Sequence, residues 1–138
     1  MLATQIKRLR CLTSRPVAPG ANDLIRQLES ELNEYFRGER RDFDVPLRIS
    51  GTDFQTAVWR QLLQIPPGET RSYDDIARAV GNAGAARAVG RANGDNRIAI
   101  LIPCHRVIRS DGTLSGYGGG VWRKKRLLDL EARSAVPA

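Results

Sequence analysis

The chain has 138 residues, enough for one ordinary domain with a short extra segment and a core that needs no covalent staples. Its 22 basic residues against 15 acidic ones give a formal charge of +7, and 19 of the 22 are arginine, which suits an anionic partner that rewards forked hydrogen bonding; an Arg-rich but idle surface is the plain alternative. Two cysteines, Cys11 and Cys104, build no disulfide framework, and with a single histidine they are too few for a tetrahedral zinc site, so neither metal nor cofactor is expected.

No signal-peptide pattern or long apolar run is visible, so the expected location is the cytoplasm, without membrane association. Residues 1–15 carry Lys7, Arg8, Arg10 and Arg15 with no acid, which superficially resembles a transit peptide; a solvated basic tail is the expectation. From Asp23 to Arg37, Ile25, Leu28, Leu32 and Phe36 follow helical spacing and Gly38 supplies a stop. The charged run that follows, broken by Pro46, reads as a linker over 38–51. Three regions result: 1–50 with one helix and the linker, a main domain over 51–131, and a flexible tail at 132–138.

Thr52 with Gln55 has capping-box form, and Phe54, Val58 and Leu62 mark one helical face until Pro66-Pro67-Gly68. Ser72 with Asp75 repeats the start signal before Ile76, Ala77 and Val80. After Gly81-Asn82-Ala83-Gly84 a third helix is predicted over Ala85 to Asn93, so two short helices flank a glycine-containing turn in the outline of a helix-turn-helix. Arg97 to Ile102 is apolar and β-branched, as a buried strand is, and leads into Pro103-Cys104-His105-Arg106-Val107. Asp111-Gly112 predicts a turn between extended pieces, Gly116 to Gly120 a flexible stretch, and Trp122 to Glu131 a closing helix with Leu127, Leu128 and Leu130. The fold class is therefore mostly α with a small β component.

A lone cysteine is usually a small buried hydrophobe. Cys104 differs in its neighbours: His105 follows directly, and Arg106 and Arg109 add positive charge, which favours the nucleophilic thiolate. An ordinary thiol, with a pKa of ~8.5, is mostly neutral at physiological pH, so a base relay matters. Adjacent residues of an extended segment point to opposite sides, so Cys104 and His105 need a bridging water or a bend to communicate. An acid must orient His105, and Glu131 is one candidate among several that position alone does not select. In the third helix Arg87 and Arg91, four apart, share a face while Ala85, Ala86, Ala88, Gly90 and Ala92 keep the surface low, as close approach to a duplex requires. Arg87 then serves as a phosphate contact or a wedge. The glycine run lacks the Lys-Ser/Thr of a phosphate loop.

Pro103 to Val107, preceded by Ile100-Leu101-Ile102 and followed by Ile108 and Asp111-Gly112, strongly resembles the active-site segment of the methylated-DNA-protein-cysteine methyltransferases, the O6-alkylguanine-DNA alkyltransferases. Phe54-Gln55, Val58-Trp59, Pro67-Gly68-Glu69, Ser72-Tyr73, Ala86 to Gly90, Asn96, Ser115-Gly116-Tyr117 and Leu127-Leu128 with Glu131 match in order and spacing, over about residues 38–131. The resemblance implies an alkyltransferase domain with a helix-turn-helix of winged-helix-like type. It implies Cys104 as alkyl acceptor, His105 as the base acting through a water, Glu131 as its orienting carboxylate, Asn96 as the brace of the turn, and Tyr73 as proton donor to the departing guanine.

On the same resemblance, Arg87 is the finger that fills the duplex when the damaged nucleotide rotates out, and Ala86, Gly90, Arg91 and Arg106 join it in contacting DNA. Tyr117, Gly118, Val107 and Ser115 form the substrate pocket. The implied partner is double-stranded DNA carrying alkylated guanine, entered from the minor groove, with O4-alkylthymine as a further substrate and a monomer as the working form. In-line attack leaves a thioether that nothing in the chain hydrolyses, so each molecule reacts once. Family members usually carry a sheet-containing N-terminal domain, and the 50 residues before Gly51 read as a shortened version. Three other readings stand beside it: a lesion-binding relative that accepts no alkyl group, a helix-turn-helix regulator that uses the same basic surface and in which Cys104 is a sensor or structural, and, fitting least well, a cysteine hydrolase, which needs a different Cys-to-His geometry.

Overall fold

The computed structural model describes residues 20–134; the basic run at 1–15, Cys11 and the last four residues lie outside them. In chain order the elements are α1 (Asp23–Phe36), α2 (Asp53–Leu62), β1 (Arg71–Ser72), α3 (Tyr73–Ala79), α4 (Ala86–Gly94), a single 3₁₀ turn (Cys104–Arg106), β2 (Val107–Ile108) and α5 (Val121–Arg133). Helix starts follow local chemistry. Thr52 and Gln55 form a reciprocal capping box, and Ser72 and Asp75 form another, each satisfying two backbone N–H groups that the first turn of a helix leaves unpaired. Such caps contribute about 1 kcal/mol each.

The helices α2, α3 and α4 bury Val58, Trp59, Leu62, Ile76, Ala77, Val89 and Ala92 in one cluster, closed from the other side by Ile65, Ile102, Cys104 and Val107. Trp59 adds a polar tie: its indole N–H donates to the Ala92 carbonyl at 2.9 Å, fixing α2 against the second helix of the helix-turn-helix. The sheet is one parallel pair, with Arg71 opposite Val107 and Ser72 opposite Ile108. It places the residues just after Cys104 beside the start of α3, which is why Tyr73 stands near the reactive segment.

Two expectations are corrected. Residues 97–102 form bends and a turn, with a lone bridge between Ala99 and Ile102, instead of a strand. Asn96 competes with any ladder there: its side-chain oxygen accepts from the Ile98 N–H at 3.0 Å and its amide donates to the Ile102 carbonyl at 2.9 Å. Ile100, at φ 74°, occupies the left-handed region that a β-branched residue rarely adopts. In α1 the buried stripe is rotated from the predicted one. Glu31 and Tyr35 are buried, Leu28 and Leu32 are half-buried, and Ile25 and Phe36 stay exposed. Polar partners set this rotation, because Glu31 accepts from the Asp44 and Val45 N–H groups and so ties the following segment to the helix.

Candidate active site

Cys104 begins the 3₁₀ turn at the end of the irregular segment, and asparagines hold that segment in shape. Asn96 spans the turn as described, and Asn93, on the inner face of α4 one turn after Val89, donates to the Cys104 carbonyl at 3.2 Å. The Cys104 side chain is buried, at 6% exposure. Burial pushes its thiol up from the usual value, against the opposing pull of the Asn96 side chain and the Lys124 charge. The resting group is thus a thiol that needs help to ionise. Neither arginine invoked from sequence supplies that help: Arg109 is exposed and Arg106 is engaged elsewhere.

His105 is fully buried, and its Nε2 lies 2.7 Å from Glu131 Oε1 on α5. Burial raises the Glu131 carboxyl, but the hydrogen bonds from His105 and Arg106 outweigh it and hold the group down at about 2. An ionised carboxylate only accepts, so the ring proton sits on Nε2 and the lone pair on Nδ1. Nδ1 is buried and bonds to no protein group. The Cys104–Arg106 segment is a 3₁₀ turn, not the extended chain from which opposite-facing side chains were argued.

Arg106, expected to face DNA, is instead buried at 6% exposure. Its guanidinium grips Glu131 in a fork, Nε to Oε2 at 3.0 Å and NH2 to Oε1 at 2.8 Å, and its NH1 donates to the Ile65 carbonyl at 2.6 Å. A buried cation needs such pairing, and Glu131 is the partner that covers it. Val107, expected to line the pocket, likewise lies in the core with its side chain fully buried.

The pocket wall is built from the segment between β2 and α5. The Ser115 carbonyl accepts from the Tyr73 hydroxyl at 3.3 Å and from Lys124 Nζ at 3.0 Å, and the same Nζ donates to the Val107 carbonyl. Lys124 is fully buried and went unnoticed in sequence, where it is one of two adjacent lysines in a basic helix; only packing distinguishes it from exposed Lys125. Burial pulls its ammonium down and the neighbouring Cys104 pushes it back up. Tyr117 is half-buried, and burial first, then the charge of Cys104, push its hydroxyl up to about 12. Gly118 is exposed, and Gly120 caps α5 at φ 96°, a conformation open to glycine.

On the opposite face of α4, Arg87 and Arg91 are exposed and line one groove with Thr52, Phe54, Gln55 and Asp95. Neither arginine makes an ion pair with a described residue. Ala86 and Gly90 are half-buried, and Gly90 lies beside the Tyr73 ring. The inner side of α4 thus supports the thiol turn while its outer side presents free guanidinium groups.

Residues 53–133 match the family model described as 6-O-methylguanine DNA methyltransferase, DNA binding domain. The chain belongs to that family. A methylated-DNA–protein-cysteine methyltransferase of Mycobacterium tuberculosis is 61% identical over 108 residues, which cover 78% of this chain and 65% of the relative. The chain therefore spans slightly under two thirds of that protein's length. Among solved structures, M. tuberculosis OGT in complex with DNA superposes with a TM-score of 0.79 at 58% identity, over 80% of this chain and 69% of that one. The S. pombe Atl1 complex with damaged DNA containing O6-carboxymethylguanine gives a TM-score of 0.53 at 35% identity, over 60% of this chain and 79% of the other. The mostly helical alkyltransferase fold expected from sequence is the fold observed. No helix of the described residues is long and apolar enough to cross a membrane.

Proposed function

We propose that the protein repairs DNA by moving an alkyl group from O6-alkylguanine to Cys104, once per molecule. The observation that carries this reading is the buried Glu131–His105 pair, which leaves His105 Nδ1 as a lone pair next in sequence to a buried thiol. The thiol proton passes through a water to Nδ1, and the thiolate attacks the alkyl carbon in line. A C–S bond forms, the C–O6 bond breaks, and its electron pair moves into the guanine ring, where the Tyr73 hydroxyl delivers a proton. Guanine is restored and an S-alkylcysteine remains.

The damaged atom lies inside the base stack, so the nucleotide must rotate out, at a cost of a few kcal/mol that a poorly paired lesion reduces. Arg87 on the exposed face of α4 fills the gap from the minor groove, with Arg91 on the backbone; small Ala86 and Gly90 permit the close approach. Asn96 and Asn93 hold the thiol turn, and Ser115, Tyr117 and Gly118 border the base. The proposed setting is the cytoplasm, a reducing compartment in which a nucleophilic thiol persists.

The test is to incubate the protein with duplex DNA containing O6-methylguanine and weigh the Cys104 peptide. A permanent gain of one methyl per molecule is expected. Folded protein that binds this DNA and gains no methyl would instead be a lesion-binding protein, and the enzymatic reading would be rejected.

A further inference from the structure

Glu131 Oε1 accepts three hydrogen bonds, and the third donor comes from outside the matched domain. Tyr35, on α1 and 2% exposed, donates its hydroxyl to Oε1 at 2.7 Å, the same oxygen that His105 Nε2 and Arg106 NH2 engage. We propose that Tyr35 is a positioning residue of the proton relay, so that α1 is part of the catalytic unit and sets how strongly Glu131 holds His105. This rests on the proposed function and adds a component to it.

The placement of Tyr35 is built, not incidental. Its ring packs against Phe36 at 5.4 Å and Phe43 at 5.5 Å between centroids, and Glu31, one turn earlier, clamps Asp44 and Val45. The Ser134 hydroxyl, just beyond α5, donates to the Gly38 carbonyl, just beyond α1, so the ends of the two helices are tied together as well. Burial raises the Tyr35 hydroxyl well above its usual range, which keeps it a donor at every working pH.

Three donors on one oxygen share its electron density. Removing one leaves Glu131 a stronger acceptor for the others, which stabilises the protonated imidazole and withdraws the base at a higher pH. The groups that face this carboxylate are Tyr35 from α1, His105 and Arg106 from the turn, and Arg40 and Arg41 lining the small cavity beside it. Of the last two, Arg40 is paired with Glu34 and Asp44, and Arg41 donates to the Pro67 carbonyl. Tyr35, unlike the arginines, carries no charge, so its hydroxyl can be deleted without changing the charge around Glu131.

The experiment compares wild type with Tyr35→Phe in single-turnover methyl transfer from O6-methylguanine duplex, across the range in which imidazole and thiol titrate, normalised to the fraction that finally reacts. The acidic limb of the profile is expected to move up by about half to one pH unit, with a rate loss of about three- to ten-fold at its acid end. The alkaline end and the affinity for DNA stay at wild-type values. His105 is the sole histidine, so its Nε2–H proton resonance reads the Glu131 bond without overlap and is expected downfield in the variant. Superimposed profiles with an unmoved resonance, or a loss uniform in pH, overturn the role of Tyr35 alone. A wild type that gains no methyl overturns the proposed function, and this inference with it.

Discussion

Replacing Glu131 by glutamine keeps the shape of the side chain and removes the charge that four hydrogen bonds converge on. Burial alone would raise this carboxyl; His105 and Arg106 reverse that and bring it from 4.5 to about 2. The difference is about 2.5 units, which at about 1.4 kcal/mol per unit corresponds to about 3 kcal/mol. Because the folded value lies below the unfolded one, this stability is present above about pH 4.5 and is lost as pH falls towards about 2. The Gln variant lacks it throughout, since Arg106 is then a buried cation without a counter-charge. Urea denaturation at a series of pH values is expected to show the variant about 3 kcal/mol less stable at neutral pH, with the two curves converging in acid as wild-type Glu131 protonates. An offset that stays constant down to the acid end, or no offset at neutral pH, would refute the argument that the charge, not the packing, carries the effect.

Three further outcomes follow from the site. His105→Gln should slow single-turnover methyl transfer by about 10²- to 10⁴-fold at neutral pH, and the deficit should shrink in alkali, where the thiol ionises unaided; stopped-time adduct analysis by mass reads both. Arg106→Met should cost about 3–5 kcal/mol in denaturation yet leave the salt dependence of DNA binding unchanged, whereas Arg91→Ala should do the reverse, flattening the salt slope by about one with little loss of stability. Gly120→Ala should destabilise by about 1–3 kcal/mol, because the residue sits at φ 96° and a Cβ there meets the Trp122 ring at 3.2 Å; a neutral thermal shift would contradict it.

Sequence pattern exposed much of the local structure because its causes are local. The caps at Thr52 and Ser72, the stop at Gly38 and the turn at Asp111-Gly112 depend on side chains within a few residues of the backbone groups they satisfy. The segment before Cys104 has the composition of a strand from Ile98 to Ile102, while the Asn96 side chain and backbone turn bonds such as Ile102 N–H to the Ile98 carbonyl bend it. Lys124 and Asn93 escaped notice for a similar reason: in sequence they are ordinary polar residues on helices, and their roles exist only where Val107, Ser115 and Cys104 offer carbonyls to them.

The reactive segment and its family were legible in the sequence itself, since the motif residues are contiguous along the chain, whereas adjacency alone does not bring the Cys104 and His105 side chains together. Which acid serves His105, and what else that acid holds, was decided by tertiary structure. Glu131 stands 26 residues from His105 and 96 from Tyr35, and no local rule links positions so distant. The packing of α5 against the thiol turn and of α1 against α5 brings them within hydrogen-bonding distance, and the cost of burying Arg106 unpaired keeps them there.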